Sequence, residues 1–395
     1  MMNVRSLIAM ALFSALACHR LAAAYNRDAP VFTHLSGTVV VSAEVANQSL
    51  YVNVRINGRG PFRMLVDTGA SVAFVTPSVA AAVEARDVSE HSGPTVSINA
   101  FGEYANIHRV LLRTLEIGDA KFDGVTAGVT NDCGMLGLAD GKPIDGILGF
   151  SVFSDVVLSL DFPGKRMLMS THWPSGLPPV RTELAVVEPM EVPRVVAQLQ
   201  GRQIEMLIDT GANHGIGLPP ELAGLTSWKA EPRPSPLVQA AGSRAREYIG
   251  RITGELRLGS VVEESPIIDV TNGSPSIGVG FLKGFCVVFD QSQNKMWLCS
   301  NSDAEVPAPA ERSLGMSLLA DTDGWRVAGT IPGSPAEEAG IVTGDVVTRI
   351  EGESARDWSR DRLENWTVSH DKVELSVASI DQSRELVLPV WSLVP

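Results

Sequence analysis

The sequence predicts a mostly β protein: two pseudo-symmetric β lobes, followed by a small β-rich domain with two helices. Three observations predict it. Segments between residues 50 and 302 recur in the same order. The repeated blocks read as short strands with period-two apolar alternation, broken by Gly, Pro and Asn, with no helical pattern of a dozen residues before residue 303. The stretch 303–311, with two prolines, three acids and three alanines, then reads as a linker into a segment of different character. The composition agrees: of 395 residues, 45% are hydrophobic and 19% charged, with 36 Gly and 24 Pro, which is globular and turn-rich. A net charge of −13 repels phosphate backbones and anionic lipid, so nucleic acid is not expected as a partner.

Taken in chain order, residues 1–24 read as a secretory signal peptide. Arg5 supplies the basic region, Leu7 to Ala17 the apolar core and Ala22-Ala23-Ala24 a small-residue cleavage site. Cleavage there removes Arg5 and Arg20 and no acid, taking the charge from −13 to −15. Two alternatives stand beside it. An uncleaved anchor is disfavoured because the apolar run falls short of the ~20 residues a span needs. A lipoprotein would carry its lipid on Cys18, after Ala15-Leu16-Ala17. The expected location is the periplasm or the exterior, with membrane attachment only if Cys18 is lipidated.

The repeat itself is specific. Val52-Asn53-Val54-Arg55-Ile56-Asn57-Gly58, followed by Met64-Leu65-Val66-Asp67-Thr68-Gly69-Ala70, returns as Val196-Ala197-Gln198-Leu199-Gln200-Gly201, followed by Met206-Leu207-Ile208-Asp209-Thr210-Gly211-Ala212, at an offset of 142. Leu115-Glu116-Ile117-Gly118 matches Leu256-Arg257-Leu258-Gly259 at 141. Ile147-Leu148-Gly149-Phe150 aligns with Gly278-Val279-Gly280-Phe281 at 131, which assigns lobe 1 about ten extra residues near 133–143. The lobes are bounded at 35–175 and 180–302.

In each lobe a buried apolar strand ends in Asp-Thr-Gly. A single such turn is an ordinary loop. Two at matching places in a duplicated chain bring Asp67 and Asp209 face to face across a pseudo-twofold. Two carboxylates in contact cannot both ionise cheaply, so they share a proton and titrate as a pair. One then serves as general base on a water while the other, protonated, hydrogen-bonds a substrate carbonyl.

With Asp67-Thr68-Gly69-Ala70-Ser71, Asp209-Thr210-Gly211-Ala212-Asn213 and the two apolar-Gly segments downstream, residues 35–302 resemble a two-lobed aspartic peptidase of the retropepsin-like superfamily, bacterial type. The resemblance implies that Asp67 and Asp209 are the catalytic pair, and that Thr68 and Thr210 lock the two loops by mutual hydrogen bonds. It implies that Ile147-Leu148-Gly149 pack behind Asp67, and Ile277 with Val279-Gly280 behind Asp209. It places a flap at residues 96–110, with Ala100-Phe101-Gly102 near the tip, and a mate at 237–247 around Ala241-Gly242. Asn213 departs from the hydroxyl or acid usual at its position, and Gly278 makes the second apolar-Gly segment less apolar. Ser71 has the hydroxyl to bond Asp67, whereas Asn213 offers only its amide. Relatives active in strong acid carry a hydroxyl where Ala70 and Ala212 stand, so a rate maximum at about pH 5–6.5 is expected.

Residues 312–393 resemble a PDZ domain of periplasmic proteases, on Gly324-Trp325-Arg326-Val327-Ala328-Gly329-Thr330-Ile331-Pro332-Gly333-Ser334-Pro335-Ala336-Glu337 and Gly344-Asp345-Val346-Val347. Ser334-Pro335-Ala336-Glu337 has the form of a capped helix start, which Gly340 ends. The resemblance implies that backbone N–H groups of Leu314-Gly315-Met316 receive a peptide C-terminus, that the peptide adds a strand beside Met316 to Leu319, and that a helix within 356–367 lines the groove with Leu363 and Trp366. Trp358, Trp366 and Trp391 are read as core.

The function this implies is an exported aspartic endopeptidase acting on polypeptide substrates, with the PDZ domain binding substrate or partner termini. The alternative is a catalytically weak or inactive adaptor that binds peptides in the same cleft. A serine peptidase is disfavoured, since no Gly-x-Ser-x-Gly or Gly-Asp-Ser-Gly stretch exists. With both Asp on one chain, a monomer suffices. No cofactor is implied, and no metal: Cys133, Cys286 and Cys299 lack zinc spacing, and all seven His read as solvated surface. Cys286 and Cys299 lie symmetrically about a hairpin turn, where an oxidising compartment permits a bridge.

Overall fold

A computed structural model describes residues 31–394 apart from 47, 90–94, 99–103, 131–141, 188–190, 235–237, 241–242, 246–247, 302–311 and 380–381. The signal peptide, Cys18, Cys133, the two flap tips (Ala100, Phe101, Gly102; Ala241, Gly242) and the linker lie outside the described residues. Among the described residues no helix is long and apolar enough to cross a membrane.

Each lobe is built around one hairpin. In lobe 1 Ser49–Ile56 pairs with Arg59–Asp67, joined by Asn57 and Gly58 with φ of 52° and 78°. In lobe 2 Arg194–Leu199 pairs with Arg202–Asp209, joined by Gln200 and Gly201 at 49° and 76°. Two consecutive left-handed residues make the turn whose twist matches that of the strands, which Gly favours at the second place. The apolar residues Met64, Leu65 and Val66, and Met206 and Ile208, are buried, so each second strand is driven through the core and delivers its Asp at the far end. Lobe 1 is completed as a ten-stranded sheet and lobe 2 as a nine-stranded one.

A third sheet joins the lobes. Its six strands run in the order Val180–Ala185, Lys295–Cys299, Cys286–Asp290, Val157–Asp161, Arg166–Ser170, Val39–Ser42. The hairpin of one lobe pairs antiparallel with that of the other, Val157↔Asp290 to Asp161↔Cys286. One continuous apolar cluster accordingly runs through both lobes, including Phe150, Phe289, Leu158 and Leu298.

Cys286 and Cys299 face one another in that sheet, but both are free, buried thiols. The bridge that the hairpin permits is not formed. Instead the two sulfurs pack as apolar groups with Val157, Val288 and Trp297. Burial pushes Cys299 up to about 11, keeping it a thiol.

The C-terminal domain is a six-stranded sheet in the order Met316–Asp321, Gly324–Thr330, Val346–Ile350, Lys372–Ala378, Ser383–Pro389, with the short strand Glu353–Ser354 also paired to Val346–Ile350. Ser334 caps the helix Pro335–Glu338, its hydroxyl accepting from the Glu337 N–H, and Gly340 follows at φ 69°. The longer helix Arg360–Ser369 packs Leu363 and Trp366 against a core containing Trp358. Trp391 does not belong to that core; it packs with residues of lobe 2.

Lobe 2 also buries Glu263, 4% exposed on Val261–Glu264. Burial raises its carboxyl from 4.5 to about 7, with Arg251 partly opposing. A raised value means the folded state holds the proton more tightly, so this contribution to stability is present below about pH 4.5 and is lost as pH rises through 7. The full swing is roughly 3 kcal/mol. Glu263→Gln is therefore expected to raise the unfolding free energy at pH 8 and to change it little at pH 4.5, as urea unfolding at the two pH values measures. Equal effects at both would show that Glu263 does not titrate between them.

Candidate active site

The two Asp-Thr-Gly loops meet at the junction of the lobes. A Cβ added to Gly69 would lie 2.5 Å from Cγ of Asp209, and one on Gly211 would lie 2.4 Å from Cγ of Asp67. Each glycine thus forms the wall against which the opposite carboxylate rests, and no larger residue fits there. Beneath them the threonines interlock. Thr68 N–H donates to Oγ1 of Thr210 at 3.0 Å and Thr210 N–H to Oγ1 of Thr68 at 3.1 Å. The hydroxyls then donate across the junction, Thr68 to the Ile208 carbonyl at 2.6 Å and Thr210 to the Val66 carbonyl at 2.8 Å.

The carboxylates are held in matching ways. Oδ1 of Asp67 accepts from the Gly69 and Ala70 amides at 2.8 and 3.1 Å, and Oδ1 of Asp209 from those of Gly211 and Ala212 at 2.9 and 3.1 Å. The two carboxyl groups therefore face each other across the junction. Burial, then repulsion from Asp209, push the Asp67 carboxyl well above its usual range, against the pull of the two amides.

A strand behind each loop fixes its height. Gly146–Gly149 runs parallel to Arg59–Asp67 with Gly149 opposite Asp67, and Ser276–Gly278 runs parallel to Arg202–Asp209 with Gly278 opposite Asp209. The expected alignment of Gly149 with Gly280 is corrected by two residues. Gly278 is the one whose Cβ would strike the His214 carbonyl at 2.3 Å, as Gly149 would strike that of Val72 at 2.2 Å. The next residues complete the match: Phe150 N–H donates to the Ala70 carbonyl at 2.8 Å and Val279 N–H to that of Ala212 at 2.9 Å.

The positions after Ala70 and Ala212 differ between lobes. The Ser71 carbonyl accepts from the Ser151 N–H. Asn213 turns to the other lobe, where its Oδ1 accepts from the Ser49 hydroxyl at 3.0 Å. His214, corrected from a surface reading, is half-buried and shares a 2.7 Å hydrogen bond with the Ser276 hydroxyl. Burial holds its imidazole below the usual range, with the Asp209 charge opposing. Ser49, His214 and Ser276 were missed from sequence. The signal available was the repeat, which sets His214 against the apolar Val72. Strands of both flap positions are present: Thr95–Ile98 pairs with the start of Tyr104–Ile117, and Val238–Ala240 with Ser243–Ala245.

In the C-terminal domain, Leu314, Gly315 and Met316 are buried at the head of the outermost strand. Gly315, at φ 81°, has no room for a side chain, since a Cβ would lie 2.1 Å from that of Ser334. Its carbonyl accepts from the Ile331 N–H at 2.8 Å and the Ser334 hydroxyl at 3.1 Å.

Comparison with known families recognises a segment of the first lobe and the C-terminal domain. Residues 52–152 match the aspartyl protease family model and residues 304–378 match the PDZ domain. The chain carries an aspartyl protease domain and a C-terminal PDZ domain. No curated protein matches it.

Proposed function

We propose that this protein is an exported aspartic endopeptidase, active as a monomer, in which Asp67 and Asp209 together activate a water for attack on a peptide bond. The observation that carries the reading is the mutual packing of Gly69 on Asp209 and Gly211 on Asp67, which sets two carboxyl groups from opposite lobes side by side. With one proton between them, the ionised carboxyl takes a proton from water as the hydroxyl adds to the carbonyl carbon. The protonated one donates to the carbonyl oxygen, and collapse of the tetrahedral carbon expels the amine, which takes up a proton. The PDZ domain binds substrate or partner peptides by their free C-termini at Leu314-Gly315-Met316. The mature protein is expected to cut denatured casein, with fragments identified by mass spectrometry, while an Asp67→Asn form leaves it intact. Equal cleavage by both would refute the reading. Intact casein with both, alongside retained peptide binding in the cleft, would identify an adaptor.

A further inference from the structure

The PDZ domain is seated on lobe 2 through its own last residues. Leu393 and Val394, with Ile331, form a buried cluster with Ile249 and Ile267 of lobe 2, each at most 6% exposed, and Trp391 packs against it. Arg233 clamps the same segment. Its Nη1 donates to the Ser392 and Leu393 carbonyls, both at 3.3 Å, and its guanidinium lies 5.0 Å from the centroid of the Trp391 ring. The receiving elements are neighbours in one sheet. Arg233 pairs with Ile249, and Tyr248–Arg251 pairs with Ile267–Val270. Strand pairing places Arg109 and Thr126 at the matching positions of lobe 1, so the apolar seat belongs to lobe 2 alone.

This segment borders the PDZ peptide loop on one side, and Ile331, its partner in the buried cluster, borders it on the other. Arg312–Ser313, immediately before Leu314, pairs with Trp391–Ser392. Ile331, one member of the buried cluster, donates its N–H to the carbonyl of Gly315. A shift of the loop therefore displaces either the 391–394 strap or Ile331, and both rest on the strand Tyr248–Arg251.

We propose that a peptide carboxylate bound at Leu314-Gly315-Met316 is coupled through Ile331 and the 391–394 strap to lobe 2, so that occupancy of the PDZ domain changes how the peptidase cleft holds substrate. Coupling of this kind is reciprocal between the two ligands. It rests on the proposed role of the loop as a carboxylate receptor. Removing 303–395 would accordingly bare Ile249 and Ile267.

The test uses the full mature chain and a decapeptide ending in Ala-Leu-Val with a free carboxylate, its C-terminal amide serving as control. Binding is read by fluorescence anisotropy, and hydrogen exchange of residues 248–252 by mass spectrometry. The free acid is expected to bind better than the amide and to change exchange at 248–252 by about fivefold, with a similar shift in KM for a short peptide substrate. In an Arg233→Ala, Leu393→Asp variant the acid still binds, but exchange at 248–252 no longer responds. Unchanged exchange on binding in the wild type, or an equal response in the variant, overturns the coupling. Equal binding of acid and amide overturns the carboxylate reading of the loop and the coupling with it. An inactive peptidase leaves the exchange readout intact, so failure of the peptidase reading is told apart.

Discussion

Asp67→Asn, Asp209→Asn and the double substitution are expected to be nearly equally inactive on a short peptide. Loss of a positioned acid or base typically costs roughly 10²–10⁴-fold, and a pair that works through one shared proton fails when either member is lost, so the second substitution adds little. The same single substitutions are expected to raise the melting temperature at pH 7–8. Asp67 is half-buried, and desolvation together with Asp209 holds its carboxyl well above the usual range. The folded state therefore binds the proton more tightly than the unfolded one, and stability falls as pH rises above the unfolded value. Asn does not titrate, and its oxygen still accepts from the Gly69 and Ala70 amides. Calorimetry of the three variants beside the peptide assay checks both halves. An Asp209→Asn form that kept most activity would show that the lobes do not act as a pair.

The second large effect concerns the threonines. Thr68 and Thr210 are 1% and 0% exposed, and each hydroxyl serves one amide and one carbonyl of the opposite lobe. Valine keeps the shape and removes the hydroxyl. Each Val substitution leaves two backbone groups unpaired in a dry interior, at roughly 1–3 kcal/mol apiece. Thr210→Val is thus expected to lower stability by about 2–5 kcal/mol and to lower cleavage with it, as the carboxyl pair loses its footing. Thr210→Ser restores the bonds and most of both properties. Urea unfolding and peptide cleavage of the Val and Ser forms at each position decide it: Val forms as stable as wild type would mean that the interlock does not join the lobes.

The parts of this architecture that the sequence makes legible are those written twice. Asn57-Gly58 and Gln200-Gly201 carry the turn chemistry that aims each strand, and the apolar runs before Asp67 and Asp209 state where those strands are buried. Where the pattern has period two it is ambiguous. Gly278 and Gly280 are two residues apart in sequence, and the strand pairing that sets Gly278 opposite Asp209, with Gly280 already in the following helix, selects Gly278. Interactions made once leave a fainter trace. His214 with Ser276, and Asn213 with Ser49, join residues 62 and 164 positions apart, and no local rule links them. Leu393 and Val394 read as the apolar end of a small domain, because their partners Ile249 and Ile267 belong to a lobe whose docking face is not encoded nearby. The opposed cysteines were placed correctly by the turn, but placement in register does not by itself form a bridge.

The shared proton is the centre of the account, and the rate of short-peptide cleavage between pH 2 and 8 tests it most directly. Ala70 and Ala212 offer the carboxyl groups backbone amides and no hydroxyl, and burial beside Asp209 holds Asp67 well above the usual range. The amides pull the carboxyls down but no hydroxyl adds to that pull, so burial and mutual repulsion move the pair away from strong acid. The predicted result is a bell with its maximum at about pH 5–6.5, the acid limb marking the ionisation that creates the base and the alkaline limb the loss of the shared proton. A rate that climbs to a plateau with no alkaline limb, or a maximum below about pH 4, would contradict it.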